Sequence, residues 1–396
     1  MTASTVAPKR IESIDLLRGV VMILMALDHT RDYFHYDAFF FEPTDIEQTS
    51  IALFVTRFIT HYCAPVFMLL AGTSAFFIGR RLEKKDLSIW LIKRGIWLII
   101  VEFIIVKFAW YFQFDFGLIE LNVIWALGVS MITLAAFIRI PKKTLIVICT
   151  LGILGHNLVD GIQFEDAWAH NLMAVLHQFT PLKGTGEIDF WVYYPLIPWI
   201  FVMPLGYCMG SLYASGFDAR QRRKLLMRIG VIMTVGFFAI RLLNFYGDPF
   251  PWTTQDTILK TVFSFFKLNK YPPSLLYLLI TLGPALIFLS VSENWKTKVL
   301  DKVTVVGRVP MFYYIIHIFI IHMAACVAAA LTGWGFEAMI LEGWVTELDR
   351  LQGYGFNLWV VYLIWVAMTV LILYPLSKVY HDYKFSNRDK WWLSYI

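Results

Sequence analysis

Five consecutive residues, Asp28-His29-Thr30-Arg31-Asp32, bring together two carboxylates, an imidazole and a guanidinium. His29 and Asp32 are three apart, so on a helix they share a face, where the carboxylate can orient the ring and raise its basicity. Asp28 stands in the same relation to Arg31. Arg18 lies eleven residues before His29, three turns back and within about 20° of the same face, and Asp15 joins it at a spacing of three. An imidazole that is neutral near pH 7 removes a proton from an amine or hydroxyl, or is itself acylated. The chemistry on offer is therefore acid–base or nucleophilic, with Asp28, Asp32 and a second histidine, His61, as the nearest helpers.

The elements that must hold these groups are unusual company for charge. Hydrophobic residues make up 58% of the 396 and charged residues only 16%, against about 45–50% and 25% in soluble domains. A span needs about 20 mostly apolar residues. The expected architecture is an all-α, polytopic membrane bundle of about ten transmembrane helices, nine to eleven being compatible with the length. They are expected at residues 14 to 35, 51 to 79, 88 to 110, 118 to 138, 144 to 160, 191 to 213, 225 to 245, 273 to 291, 309 to 331 and 356 to 376. The whole of 1–396 reads as one membrane-embedded domain with tails at 1–13 and 377–396. The first apolar run carries Asp15 and Arg18 and no small-residue cleavage pattern, so it is expected to stay as the first helix.

Loop charge orients the bundle. With the N-terminus inside, the inner segments hold 21 lysines and arginines and the outer ones five, Lys183, Lys260, Lys267, Lys270 and Arg350. This imbalance places both ends in the cytoplasm. It also accounts for the net charge of +5 by topology, and excludes nucleic acid as a partner. The long outer connections, at about 160 to 190, 246 to 272 and 332 to 355, are rich in Trp, Phe, Asp and Glu and could cap an outward-facing cavity.

The first helix breaks the membrane rule. Its apolar core, Val20 to Leu27, is too short to span, so the helix continues through Asp28–Asp32 and carries ionisable groups into the outer leaflet. At 1.5 Å per residue, His29 lies about 20 Å from the inner start of its helix and His61 about 15 Å from the outer start of the next, so the two could meet. The alternative for His61 is a hydrogen bond to neighbouring backbone. His156, Asn157 and Asp160 end the fifth helix on the outer side, where a solvated helix end is the competing explanation. Lys270-Tyr271-Pro272-Pro273-Ser274 enters the eighth helix, with Lys270 readable as an interfacial anchor. His317 lies two turns into the ninth, where core packing competes with chemistry. The four cysteines, Cys63, Cys149, Cys208 and Cys326, fall in apolar stretches and read as packing residues. No phosphate loop, Rossmann glycine pattern or His-Glu-x-x-His is present, and no metal is expected.

Arg10-Ile11-Glu12-Ser13-Ile14-Asp15-Leu16-Leu17-Arg18-Gly19, followed by Met25-Ala26-Leu27-Asp28-His29-Thr30-Arg31-Asp32, resembles the opening of the bacterial relatives of heparan-alpha-glucosaminide N-acetyltransferase. His61-Tyr62-Cys63-Ala64-Pro65, Gly155-His156-Asn157, Tyr246-Gly247-Asp248-Pro249, Lys270-Tyr271-Pro272-Pro273-Ser274 and Gly307-Arg308-Val309-Pro310 are similar to that group too. The resemblance implies a transmembrane acyltransferase of the bacterial inner membrane that takes acetyl from cytoplasmic acetyl-CoA, as co-substrate, and delivers it to a sugar or glycan amine or hydroxyl across the bilayer. It implies that His29 acts in acyl transfer. On this reading Asp28, Asp32 and His61 assist His29; Asp15, Arg18 and His317 serve the donor; and Arg31, Arg57, His156, Asn157, Asp160, Lys270 and Tyr271 serve the acceptor. The partners are the lipid bilayer, the acyl-CoA donor, the glycan acceptor and a second copy in a homodimer. The competing readings are a proton-coupled transporter that uses the same charges as a relay and an assembly subunit of an envelope complex.

Overall fold

The computed structural model describes residues 11–395. Lys9 and Arg10, expected in the inner tail with the rest of 1–10, lie outside the described residues.

Helix α1 (Glu12–Phe34) runs unbroken through its charged stretch, making about 35 Å of helix. It is buried almost end to end, Asp15, Arg18, Asp28, Arg31 and Asp32 included, because helices from nearly every later part of the chain pack around it. Charges in such a position are tolerable only if the surrounding elements bring partners to them.

The expected span 51 to 79 is two collinear pieces, α2 (Ile51–Thr60) and α3 (Cys63–Gly79). Ser50 caps α2 by accepting from the Leu53 N–H at 3.2 Å. The break at His61-Tyr62 follows from Pro65, which has no N–H to give to the His61 carbonyl four residues back. That carbonyl accepts instead from the Tyr277 hydroxyl at 2.7 Å. Helices α4 (Lys84–Val101) and α5 (Lys107–Tyr111) are joined by a π turn at Glu102–Val106. The Glu102 carboxylate then accepts from the N–H groups of Ile124 and Trp125, at 2.7 and 3.0 Å, and so caps α6 (Val123–Phe137).

The all-α expectation needs one correction. Leu118–Leu121, Thr180–Pro181 and Asp189–Val192 are strands, β1 to β3, in a small sheet of order β1-β3-β2, with β1 parallel and β2 antiparallel to β3. Leu118–Leu121 and the end of β3 belonged to apolar runs read as helix starts at 118 and 191, while Thr180–Pro181 fell in the expected outer connection. Hydropathy alone does not separate a short strand from the first turn of a span, and Pro195 and Pro198 hold the chain extended until α9. Between β1 and β3 come α6, α7 (Lys142–Gly155) and α8 (Ala167–His177), and α9 (Trp199–Gly210) follows.

The second half consists of α10 (Ala219–Leu243), α11 (Ile258–Phe266), α12 (Leu275–Val291), α13 (Lys298–Gly307), α14 (Pro310–Leu331), α15 (Leu358–Met368) and α16 (Tyr374–Ser386). Helices α8, α11 and α13 fall in expected connections; at 9 to 11 residues they are too short for the 20-residue signal of a span. Among the described residues six helices are long and apolar enough to cross a membrane: Ile51–Gly79, Lys142–Val159, Ala219–Leu243, Leu275–Asn294, Pro310–Leu331 and Leu358–Ser386. Two further apolar helices, Val123–Phe137 and Trp199–Tyr213, are shorter.

The basic connections gather at one end. There Arg80 donates to Ser215 at 3.2 Å, Lys142 to Ser211, and Arg222 to Glu293 at 2.6 and 2.9 Å. At the other end Lys260 pairs with Glu47 at 2.6 Å and the Tyr246 hydroxyl donates to the Leu154 carbonyl.

The crossing of α1 and α13 is the tightest feature near the charged stripe. A Cβ on Gly307 would lie 1.8 Å from the Asp15 carbonyl oxygen, and one on Gly19 would lie 2.0 Å from that of Val303. Only glycine admits backbones this close, and the crossing places the Gly307 carbonyl against Arg18. Gly307→Ala must push the helices apart, so it is expected to destabilise the protein by about 1–3 kcal/mol, read as a lower melting temperature in detergent.

Candidate active site

The site begins with Asp15 and Arg18, one turn apart on α1. Arg18 donates to Asp15 at 3.1 Å, to the Gly307 carbonyl at 3.1 Å and to Ser74 Oγ on α3 at 2.9 Å. Arg308 approaches Asp15 at 3.5 Å. The spacing of Asp15 and Arg18 was legible in the sequence; Ser74, Gly307 and Arg308 join them only because α3 and α13 pack on α1.

Three turns further, the second cluster is a closed exchange of charge. Asp28 meets Arg31 at 2.7 Å and Arg57 of α2 at 2.9 Å, and accepts from Thr60 at 2.8 Å. Arg31 also meets Asp32 at 2.5 Å. Two guanidiniums thus answer two carboxylates, and the remaining oxygen of Asp32 faces His29 Nδ1 at 3.4 Å. Neither acid needs the imidazole for neutralisation. With Nδ1 turned to Asp32, Nε2 is the ring atom left for chemistry. Asp28 is occupied by the arginines and Thr60, so Asp32 is the carboxylate that touches His29.

The imidazole sits edge-on to Trp110, with ring centres 4.6 Å apart, and 5.3 Å from His317. His317 is fully buried. Its Nδ1–H donates to the Tyr313 carbonyl at 2.9 Å, and its Nε2 has no hydrogen-bond partner among the described residues. The structure therefore places His317 behind His29. His61 lies elsewhere: its ring neighbours are Tyr277 at 5.2 Å and Phe58 at 6.1 Å.

One cavity of about 800 Å³ connects these groups. Its wall includes Arg18, Ser74, Arg94, Arg308 and Met311 toward the basic end, His29, Asp28, Asp32, Arg57 and His61 in the middle, and Glu42, Trp191, Lys267, Lys270, Tyr271 and Trp344 toward the other. Arg18 and His29, both on its wall, are about 17 Å apart along α1. Lys270 lies over the Tyr271 ring at 5.1 Å, and Tyr271 stacks on Phe179 at 5.6 Å.

Asp248, quoted in the sequence only as part of a motif, positions this outer wall. Its carboxylate accepts from Ser274 Oγ at 2.7 Å and from the N–H groups of Asn269 at 2.9 Å and Phe250 at 3.0 Å, bracketing Lys270 and Tyr271. Burial holds the Asp248 carboxyl above its ordinary range, against the opposing pull of these donors. Trp110 and Thr60 were also missed; Thr60 alone gave a signal, lying three residues after Arg57 on one helix face.

His156, Asn157 and Asp160 do not line the cavity. They meet His177 of α8 instead, where Asp160 Oδ1 and His177 Nε2 are 2.7 Å apart.

No curated protein matches the chain. A family model described as heparan-alpha-glucosaminide N-acetyltransferase, catalytic, matches residues 10–246, the part that carries α1, α2 and the charged stripe. With more than half its length so matched, and with apolar helices long enough to cross a bilayer, this chain is a membrane protein of the heparan-alpha-glucosaminide N-acetyltransferase catalytic family.

Proposed function

We propose that the protein transfers acetyl from acetyl-CoA, entering at the basic end, to an amine or hydroxyl of a sugar or glycan entering at the other. The observation that carries this reading is the single cavity whose wall runs from Arg18, Arg94 and Arg308 past His29 to Lys270, Tyr271 and Trp344. The three arginines suit the phosphates of CoA, and the aromatic groups suit the faces of a sugar ring. A pantetheine arm laid along α1 brings the thioester to His29. His29 Nε2 takes the proton of the acceptor as its nitrogen or oxygen attacks the thioester carbonyl. The C–S bond then breaks and the CoA thiolate recovers a proton. Asp32 holds the ring through Nδ1 and offsets its charge while the proton is carried. His317 packs behind the ring, and His61 borders the acceptor.

The same reading makes residues 1–396 one domain of about ten spans with both ends in the cytoplasm and the basic end inward, in a bacterial inner membrane. The separation of basic and acidic connections to opposite ends supports it.

Acetyl-CoA should raise the melting temperature of the purified protein in detergent, whereas ATP at the same concentration should not, since only a ligand of the native state stabilises by mass action. In proteoliposomes, labelled acetyl should pass to amino sugars or hydroxyl-bearing glycans with release of CoA. Absence of the thermal shift at saturating acetyl-CoA would rule out the donor, and solute accumulation without CoA release would assign the cavity to transport.

A further inference from the structure

We propose that His156, Asp160 and His177 bind one transition-metal dication, with zinc the best match. The three come from separate elements: the single turn after α7, its following residue, and the last turn of α8. One ligand atom from each lies within 4.8 Å of the others. His156 is 5% exposed and His177 1%. Neither nitrogen of His156, nor Nδ1 of His177, has a hydrogen-bond partner among the described residues. Buried polar atoms left unpaired cost free energy that a ligand can recover. The His156 ring, with neither nitrogen paired, stands beside Asp160 Oδ1 and His177 Nε2, and this donor set of two imidazoles and one carboxylate is that of zinc rather than of magnesium or calcium.

The surroundings are those of a metal site. Asn157 donates to the outer oxygen of Asp160 at 2.7 Å and accepts from the Leu275 N–H at 2.9 Å. It thereby orients the carboxylate, as outer partners of metal ligands do, and ties it to the start of α12, just after Lys270 and Tyr271. Bonds of about 2.0–2.1 Å in a tetrahedron separate ligand atoms by roughly 3.3 Å, so Asp160 and His177 must open modestly from 2.7 Å. The other compact group, Asp28, His29 and Asp32, offers no such place, because Arg31 and Arg57 already supply its positive charge. The role assigned here is structural: the ion would fasten α8 and the outer wall of the cavity to the end of α7. This departs from the expectation of a chain without metal, because His177 is distant in sequence and gave no spacing signal.

The test is metal content, independent of acetyl transfer. Full-length protein in detergent, purified on a tag without histidines, is stripped with a chelator, incubated with Zn2+ and desalted. Wild type should retain about one equivalent and melt higher than the stripped form. His156→Ala, and Asp160→Asn as the variant that keeps the shape of the turn, should bind Zn2+ at least about tenfold more weakly. Co2+ should give wild type, and not His156→Ala, the intense visible absorption of a tetrahedral site. The proposal is overturned if folded wild type retains no more Zn2+ than folded Asp160→Asn, or if neither ion changes its melting temperature or spectrum.

Discussion

His29→Ala is expected to lower acetyl transfer by roughly 10²–10⁴-fold, the range a positioned general base contributes, while leaving the thermal shift produced by acetyl-CoA nearly intact. The separation arises because His29 lies midway along the cavity, whereas the groups suited to the donor phosphates, Arg18, Arg94 and Arg308, lie at its basic end. Asp32→Asn should lower turnover less, since its contact to Nδ1 is 3.4 Å and Arg31 stays paired with Asp28 at 2.7 Å. Single-turnover transfer of labelled acetyl, measured beside donor binding, distinguishes the two. A His29→Ala protein that binds acetyl-CoA and transfers at the wild-type rate would remove His29 from the chemistry altogether.

Arg57→Ala is expected to cost about 3–5 kcal/mol, because breaking a buried pair leaves charge without compensation. Asp28 loses its 2.9 Å partner, and Arg31 alone then faces two carboxylates. Asp28→Asn combined with Arg57→Ala, measured beside each single change, restores the count to one guanidinium, Arg31, and one carboxylate, Asp32, so the double variant should recover most of the lost melting temperature. Non-additivity in this cycle is the signature of direct coupling. If the double variant melts at the sum of the two losses, the pair does not act as a unit.

The sequence disclosed those parts of the site that lie on one helix. Asp15 with Arg18, and His29 with Asp32, are separated by a helical turn, and such neighbours follow from 3.6 residues per turn alone. It did not disclose that Asp28 is held by Arg57 and Thr60, that His317 stands behind His29, or that His156 faces His177. Each of those pairs joins different elements, and which elements touch depends on packing that apolar periodicity leaves open. Membrane composition was legible for the same reason that its details were not. An apolar run marks a buried or lipid-facing segment, yet it does not reveal the break at His61, the strand at Leu118–Leu121 or the short helix α8.

The placement of Arg31 and Arg57 beside the waist of the cavity has an electrical consequence. A protein whose interior is reached from both faces of an energised membrane is a potential short circuit, each ion that crosses dissipating about 2.3 kcal/mol per 100 mV. Asp28 and Asp32 are already held by Arg31 and Arg57, so neither carboxylate is left bare at mid-cavity to draw in a passing cation. If the proposed transfer is right, the network that steadies the imidazole also withholds a cation site from the path the acyl group takes.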